Sequence, residues 1–222
     1  MSETCGMGTL NVPGRIRLGT VGCALPGVEL KLAADGELLI RGENVMVGYR
    51  NQPEKTRETI DDDGWLATGD IAEIDDEGYV RIVDRKKELI INAAGKNMSP
   101  ANIESTLKGA SPLLGQVCVI GDRRAYNTAL IVLDGDFAPA WAAQHGLAGT
   151  SIEELAREPA LIAAVQAGVD AGNARLARVE QVKKFTILPA EWLPGGDELT
   201  PTMKLKRKPI AAKYADVIEA MY

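Results

Sequence analysis

The chain has 222 residues, a formal net charge of −6 and 45% hydrophobic residues. This composition is typical of a folded globular protein, and the mild acidity argues against nucleic acid as the main partner. No apolar run reaches the roughly 20 residues of a membrane-spanning helix, no signal peptide is expected, and three widely spaced cysteines favour a reducing compartment without disulfides.

The first third of the chain is predicted to be rich in β-structure. Alternating apolar residues predict two hairpins, and Asp35-Gly36 is a typical hairpin turn between the first two strands. Pro53 is predicted to begin a short helix. The four predicted strands span residues 28–32, 37–41, 71–74 and 79–83.

Helices and strands are predicted to alternate in the rest of the chain. Ser99 and Pro100 have the residue types of an N-cap and a first helical residue, and Ser151-Ile-Glu-Glu154 is a capping box. An alanine-rich segment from residue 159 to about 179 keeps a helical period. Further strands are predicted at 89–91, 116–121, 128–133 and 183–188, with a last helix from about 209. The expected fold class is therefore mixed α/β (α+β), with a β-rich first part followed by a short sheet flanked by helices.

A domain boundary is expected in the charged segment Asp84-Arg-Lys-Lys-Glu88. A charged stretch between two strand-like runs can be a solvated turn or a hinge. The expected domains are residues 1–84 and 85–222.

The only histidine limits the chemistry that the chain can perform. His145 is predicted to lie at the end of a helix that stops before Gly146, so neither a histidine-rich metal site nor a catalytic triad is expected. An enzyme built from this chain would depend on Lys, Asp, Glu, Arg and backbone groups.

Three segments carry candidate chemistry, although each alone is weak. The turn Gly64–Asp70 ends in a carboxylate that could accept hydrogen bonds from two ribose hydroxyls, or could be merely solvated. Arg85 stands in a cationic cluster that could bind a hydroxyl or phosphate, or could be an ordinary charged loop. Lys204 follows Leu199-Thr-Pro-Thr-Met and could bring a point charge to an anion, or could belong to a solvated basic tail.

The order and spacing of these segments resemble the adenylate-forming superfamily, which includes acyl-CoA synthetases and peptide-synthetase adenylation domains. Within it, the chain looks like a bacterial long-chain fatty-acid–CoA ligase. The segments that carry the resemblance are Ser2-Glu3 (the end of a Tyr-Gly-x-Thr-Glu motif), Gly64–Asp70 (Gly-Trp-x-x-Thr-Gly-Asp), Asp84–Lys87 (the hinge motif), 92–104, and the lysine loop Leu199–Arg207.

The resemblance implies a reaction in two steps. The full enzyme would activate a fatty acid with ATP, giving an acyl-adenylate and pyrophosphate, and would then transfer the acyl group to coenzyme A with release of AMP. It would need Mg²⁺. The implied nucleotide-binding residues are Ser2 at the phosphates, Asp70 at the ribose hydroxyls and Arg85 beside them, with Glu3 as a Mg²⁺ ligand.

The resemblance also implies residues that act in the motion and in the second step. Lys87 would be the hinge between two orientations of the C-terminal domain, and Gly95 would line the path of the pantetheine arm of coenzyme A. Lys204 would be the catalytic residue, contacting the substrate carboxylate and the α-phosphate.

The sequence departs from the family in what it lacks. The Ser/Thr/Gly-rich phosphate loop is absent, and the acyl-chain tunnel belongs to a part of the family that this chain does not match. Residues 1–84 are therefore expected to be the C-terminal remnant of a large adenylation domain, and residues 85–222 a small mobile C-terminal domain. The isolated chain is expected to be inactive, with a missing N-terminal adenylation domain as its partner.

Other hypotheses remain open from the sequence. The chain could belong to an acyl-AMP ligase that serves a carrier protein, to a CoA ligase for another acid, or to a non-catalytic interaction module. The expected location is the cytoplasm. Peripheral contact at the inner membrane face, through the basic stretch Lys204–Lys208, is a further hypothesis.

Overall fold

The chain folds into two units, Met1–Leu89 and Ile90–Tyr222. The structure, a computed structural model, describes all 222 residues. The observed division falls after Leu89, a few residues beyond the boundary predicted after Asp84.

The first unit is built on a four-stranded antiparallel sheet with strand order β3-β4-β5-β6, and β1 and β2 form a separate pair. Its elements are β1 Thr9–Leu10, β2 Cys23–Ala24, β3 Val28–Leu32, β4 Glu37–Gly42, α1 Pro53–Thr59, β5 Leu66–Ile74 and β6 Val80–Arg85. Both predicted hairpins are confirmed, with Leu30 opposite Ile40 in one and Ile74 opposite Val80 in the other. Gly36 has a φ of 84°, which explains why glycine is needed in the first turn.

The core of the first unit is small. Its buried apolar cluster consists of Leu38, Ile40, Ala72 and Val80. By contrast, the Leu18 side chain is 93% exposed. This unit therefore buries little apolar surface of its own.

The second unit is built on a three-stranded sheet with strand order β11-β10-β9. Its elements are β7 Ile90–Ile91, β8 Asn97–Met98, α2 Pro100–Lys108, β9 Leu114–Ile120, β10 Asn127–Leu133, α3 Phe137–Gln144, α4 Ile152–Leu155, α5 Pro159–Asn173, β11 Val182–Ile187, α6 Arg207–Lys213 and α7 Ala215–Glu219. Strand β10 is antiparallel to β9 and parallel to β11, and helices α3 to α5 form the crossover between β10 and β11.

Helices cover both faces of this sheet. Every residue of the central strand β10 is therefore buried. Ile131 belongs to an apolar cluster with α2 and α5, whereas Leu130 belongs to a second cluster with α6 and α7. Successive strand residues point to opposite faces, so one strand supplies both cores. Helices α2 and α5 approach closely: a Cβ at Gly172 would lie 2.7 Å from Leu107 Cδ2.

The helix predicted from residue 159 to about 179 is shorter in the structure, where α5 ends at Asn173. The Asn173 side chain donates to the Val182 carbonyl (2.8 Å) and accepts from the Val182 amide (2.9 Å). These bonds turn the chain back into β11, a long-range contact that helical periodicity does not reveal. The caps predicted at Ser99 and at Ser151–Glu154 are confirmed. None of the helices combines the length and apolarity needed to cross a bilayer.

Candidate functional site

The Thr68–Asp70 turn lies within β5. Three hydrogen bonds hold it, two of them to residues of β4. The Thr68 hydroxyl donates to the Leu38 carbonyl (2.7 Å) and accepts from the Asp70 amide (3.1 Å). The Gly69 amide donates to Glu37 Oε1 (2.8 Å), and the φ of Gly69 is 73°. The turn thus has a fixed conformation, and a side chain at position 69 would strain it.

Asp70 is paired with Arg85, its direct partner across β5 and β6. Arg85 Nε lies 2.8 Å from Asp70 Oδ1, with Asp70 largely buried and Arg85 exposed. Burial raises the pKa of Asp70, and the Arg85 charge opposes this increase. A carboxylate with one oxygen on a guanidinium keeps its other oxygen available to accept from a hydroxyl group.

Asparagine at position 70 should not destabilise the first unit at neutral pH. Because the pKa of Asp70 is raised, its ionised form is disfavoured by folding, and this cost disappears as the pH falls below the ordinary value of 3.8. We expect urea unfolding of Asp70→Asn to show equal or greater stability than the native chain at pH 7, with the difference shrinking on acidification. Asp35→Asn is the matched control, and we expect it to lower the stability at pH 7, because Lys86 lowers the pKa of Asp35. A larger loss of stability in Asp70→Asn than in Asp35→Asn would contradict this account.

Glu3 lies in a single 3₁₀ turn, Ser2–Thr4. Its carboxylate accepts a hydrogen bond from the Tyr49 hydroxyl (3.0 Å), and its own backbone amide and then Tyr49 lower its pKa. The neighbouring Ser2 is exposed.

Glu3 is the Mg²⁺ ligand that the resemblance implies, and no three His, Cys, Asp or Glu side chains converge on one metal-sized position. Mg²⁺ is commonly bound by one or two carboxylates together with phosphate oxygens and water. An ionised Glu3 with one oxygen held by Tyr49 fits a single-carboxylate ligand.

The segment predicted to contain the hinge forms a 3₁₀ turn, Lys86–Glu88. Lys86 Nζ lies 2.5 Å from Asp35 Oδ2 and 2.7 Å from Glu37 Oε2. Lys87, the residue chosen from the sequence, is exposed. The sequence therefore points to Lys87, which is exposed, whereas the structure shows ion pairs at the adjacent Lys86.

Gly95 lies in the tight turn between β7 and β8. Asn92 Oδ1 accepts hydrogen bonds from the amides of Ala94 and Lys96, and the φ of Gly95 is 73°. No atom lies within 4 Å of the position that a Cβ would take at Gly95. The turn is exposed, so its surface is accessible to a ligand.

Lys204 lies on one arm of a short hairpin, after the turn at residues 201–203 and directly before Leu205. Leu199 and Leu205 pair across its base, and Leu199 is fully buried. Next to this pair, Thr200 donates from its amide to the Lys204 carbonyl (2.8 Å), and its hydroxyl accepts from the Lys204 amide (3.0 Å). The Lys204 side chain is exposed, and its backbone is hydrogen-bonded to Thr200 on both its amide and its carbonyl.

A buried ion pair anchors the chain just after this hairpin. Arg207 donates two hydrogen bonds to Glu104 of α2, both 2.7 Å long, and Glu104 Oε1 also accepts from the Val119 amide (2.8 Å). Beside the pair, burial raises the pKa of the Cys118 thiol to about 12. Three residues after Lys204, the chain is thus fixed to both α2 and β9.

A second carboxylate stabilises the other side of the hairpin base. Glu198 is buried and accepts from Lys213 Nζ (2.6 Å) and from the Tyr214 hydroxyl (3.0 Å). Burial acts to raise the pKa of Glu198, but these two partners outweigh it and the pKa is lowered.

Four residues of these sites were not found from the sequence: Glu37, Lys86, Glu104 and Arg207. Lys86 and its partner Glu37 are 49 residues apart in the chain, and Arg207 and its partner Glu104 are 103 residues apart. The only signal in the sequence is weak, since Glu37 begins an otherwise apolar strand and Glu104 lies between apolar helix positions.

Comparison with known proteins identifies the family. Residues 87–222 match the family model described as the AMP-binding enzyme C-terminal domain. This match covers more than half of the chain, which therefore belongs to the family of AMP-binding enzymes.

Two mycobacterial relatives of this chain are named as fatty-acid–CoA ligases. The chain is 59% identical over 222 residues to a Mycobacterium tuberculosis protein named as the fatty-acid–CoA ligase FadD11, covering 100% of this chain and 39% of that protein. It is 42% identical over 223 residues to the long-chain-fatty-acid–CoA ligase FadD15 of Mycobacterium bovis, covering 100% of this chain and 37% of that one. The chain thus spans less than half the length of these curated relatives.

Two solved structures that match this chain were determined with ATP bound. The ATP-bound RpMatB-BxBclM chimera B1 matches with a TM-score of 0.68 and 31% identity, over 98% of this chain and 40% of that one. The o-succinylbenzoate coenzyme A synthetase MenE of Bacillus subtilis, in complex with ATP and a magnesium ion, matches with a TM-score of 0.64 and 28% identity, over 94% and 39%. These similarities support the mixed α/β fold class predicted from the sequence.

Proposed function

We propose that the chain serves as the C-terminal part of a long-chain fatty-acid–CoA ligase, which converts ATP, a fatty acid and coenzyme A into acyl-CoA, AMP and pyrophosphate through an acyl-adenylate. The observation that carries the proposal is Lys204, an exposed cation whose backbone is hydrogen-bonded within a hairpin, in a chain with relatives named as fatty-acid–CoA ligases.

The first step needs a fixed positive charge. The attacking carboxylate and the α-phosphate are both negative, so their approach is favoured by a cation that is already in position. The hairpin would hold Lys204 for this purpose. Its backbone is already ordered in the folded unit, so substrate binding would not have to order it. The Asp70–Arg85 pair would bind the ribose, with the free oxygen of Asp70 accepting from a hydroxyl.

The nucleotide phosphates would lie near the Ser2–Thr4 turn. Mg²⁺, when bound, would neutralise phosphate charge. Glu3 would be its protein ligand, because its lowered pKa keeps it ionised and Tyr49 orients it. The exposed Ser2 hydroxyl would donate to a phosphate oxygen.

The second step would use a different orientation of the second unit. Lys87 would be the hinge residue, because a short segment can absorb a large torsion change. Gly95 would then line the path of the pantetheine arm, on a turn where a side chain is disfavoured by the backbone conformation.

An N-terminal adenylation domain would complete the enzyme. The first unit has only a small core and exposes Leu18 and Val47 almost completely, and such side chains suit a contact with further polypeptide. That domain would supply the phosphate loop and the acyl tunnel, so the chain alone would not adenylate a fatty acid.

We propose a cytoplasmic location. Peripheral membrane contact, if it occurs, would depend on Lys204 and Lys208. Within the basic stretch, Lys206 donates to the Gly196 carbonyl (2.8 Å) and Arg207 pairs with Glu104. Only Lys204 and Lys208 of this stretch are exposed, which is a small charge for binding an anionic surface.

A chimera of FadD11 would test the proposal. Residues 1–222 replace the matching segment of the M. tuberculosis relative, and ATP–pyrophosphate exchange and acyl-CoA formation are measured with palmitate. We expect both activities in the chimera and neither in the chain alone. Benzoate in place of palmitate, and a carrier protein in place of coenzyme A, test the alternatives. A folded chimera without palmitate-dependent exchange, or exchange by the chain alone, would refute the proposal.

A further inference from the structure

We infer that Lys86 is a positioning residue that anchors the start of the hinge to the first unit, and that Glu37 couples this anchor to the turn carrying Asp70. The inference deepens the proposed function, since it takes the region after Lys86 as the hinge and Asp70 as the ribose ligand.

The anchor consists of two ion pairs on one ammonium group. Lys86 Nζ contacts Asp35 in the turn of the first hairpin and Glu37 at the start of β4. The Glu37 side chain is 10% exposed and the Lys86 side chain is 43% exposed, so water screens this contact only in part. The next residue, Lys87, is exposed, and from Ile90 the chain belongs to the second unit. Residues 87–89 therefore separate the anchor from the second unit.

The coupling to Asp70 runs through the two oxygens of one carboxylate. Glu37 Oε2 contacts Lys86 and Glu37 Oε1 accepts from the Gly69 amide (2.8 Å), immediately before Asp70. Arg85, immediately before Lys86, bonds Asp70 itself. Arg85 thus holds Asp70 directly, and Lys86 is linked to Gly69 through Glu37.

Charge balance gives the anchor a second effect. Glu37 and Asp84 both act on Asp70 as negative charges, and Arg85 acts against them. Without Lys86, one fewer cation would offset the carboxylates that surround Asp70. Repulsion would then favour movement of the turn, and the free oxygen of Asp70 would be less well placed for a hydroxyl.

Amide hydrogen exchange in the chain of 222 residues tests the coupling without any assumption about activity. In Lys86→Met, we expect exchange of the Gly69 amide to accelerate at least several-fold, because Glu37 loses the contact that orients it. Lys86→Arg should restore slow exchange. Lys87→Met, which removes the adjacent charge, should leave Gly69 unchanged. Asp35→Asn should have a small effect because the contact with Glu37 remains. Equal Gly69 exchange in the native chain and Lys86→Met would overturn the inference.

Kinetics of the FadD11 chimera test the positioning role. Lys86→Met should raise KM for ATP several-fold with a smaller change in kcat, and Lys86→Arg should restore it. An unchanged KM for ATP in Lys86→Met would overturn the role in nucleotide binding. If the unsubstituted chimera is inactive, the proposed function fails, whereas the exchange experiment still decides whether Lys86 and Gly69 are coupled.

Discussion

Glu104→Ala should destabilise the second unit by about 3–5 kcal/mol, the usual cost of removing one partner of a buried ion pair. Arg207 would lose both of its hydrogen bonds to Glu104, and the Val119 amide would lose its acceptor. Chemical unfolding in urea, followed by the circular dichroism of the helices, measures the change. We expect the stability of Glu104→Gln to lie between those of the native chain and Glu104→Ala, since its amide oxygen can still accept from Val119.

A matched surface pair separates this effect from a general loss of charge. Glu153 pairs with Arg157 on an exposed helical turn, with both side chains more than 60% exposed. Glu153→Ala should therefore cost no more than about 0.5 kcal/mol. The double variant Glu104→Met/Arg207→Met should recover much of the lost stability, because apolar side chains remove both buried charges together. Similar small losses in Glu104→Ala and Glu153→Ala would show that the buried pair is unimportant.

Lys204→Ala in the FadD11 chimera should slow acyl-adenylate formation about 10²- to 10³-fold, the scale of losing one fixed group that stabilises a developing negative charge. The hairpin backbone should survive, because its bonds to Lys204 use the main-chain amide and carbonyl only. ATP–pyrophosphate exchange measures the adenylation step. Thioester formation from a synthetic acyl-adenylate should change much less.

Lys183→Ala is the control for Lys204→Ala. Lys183 is an exposed lysine of the same unit, on β11, and its ammonium group donates only to Gln181. We expect normal exchange from this variant. If Lys204→Ala also showed normal exchange, Lys204 would have no role in adenylation, and the hairpin would need another explanation.

Local patterns in the sequence predicted many of the elements correctly. The hairpin turn at Asp35-Gly36, the cap at Ser99 and the capping box at Ser151 each depend on residues within a few positions of one another. The motif spacing also led to the family that residues 87–222 match. The boundary of α5 was wrong because Asn173 bonds Val182, and that contact forms only when the chain turns back.

The sequence by itself determined the elements, the family resemblance and the candidate residues, because periodicity, capping and motif spacing act over short stretches of chain. Only the tertiary structure decided which side chains support those candidates. It places Lys86 against Asp35 and Glu37, and Arg207 against Glu104. A buried charge must find a partner wherever the fold brings one within reach, and that partner is not set by distance along the chain.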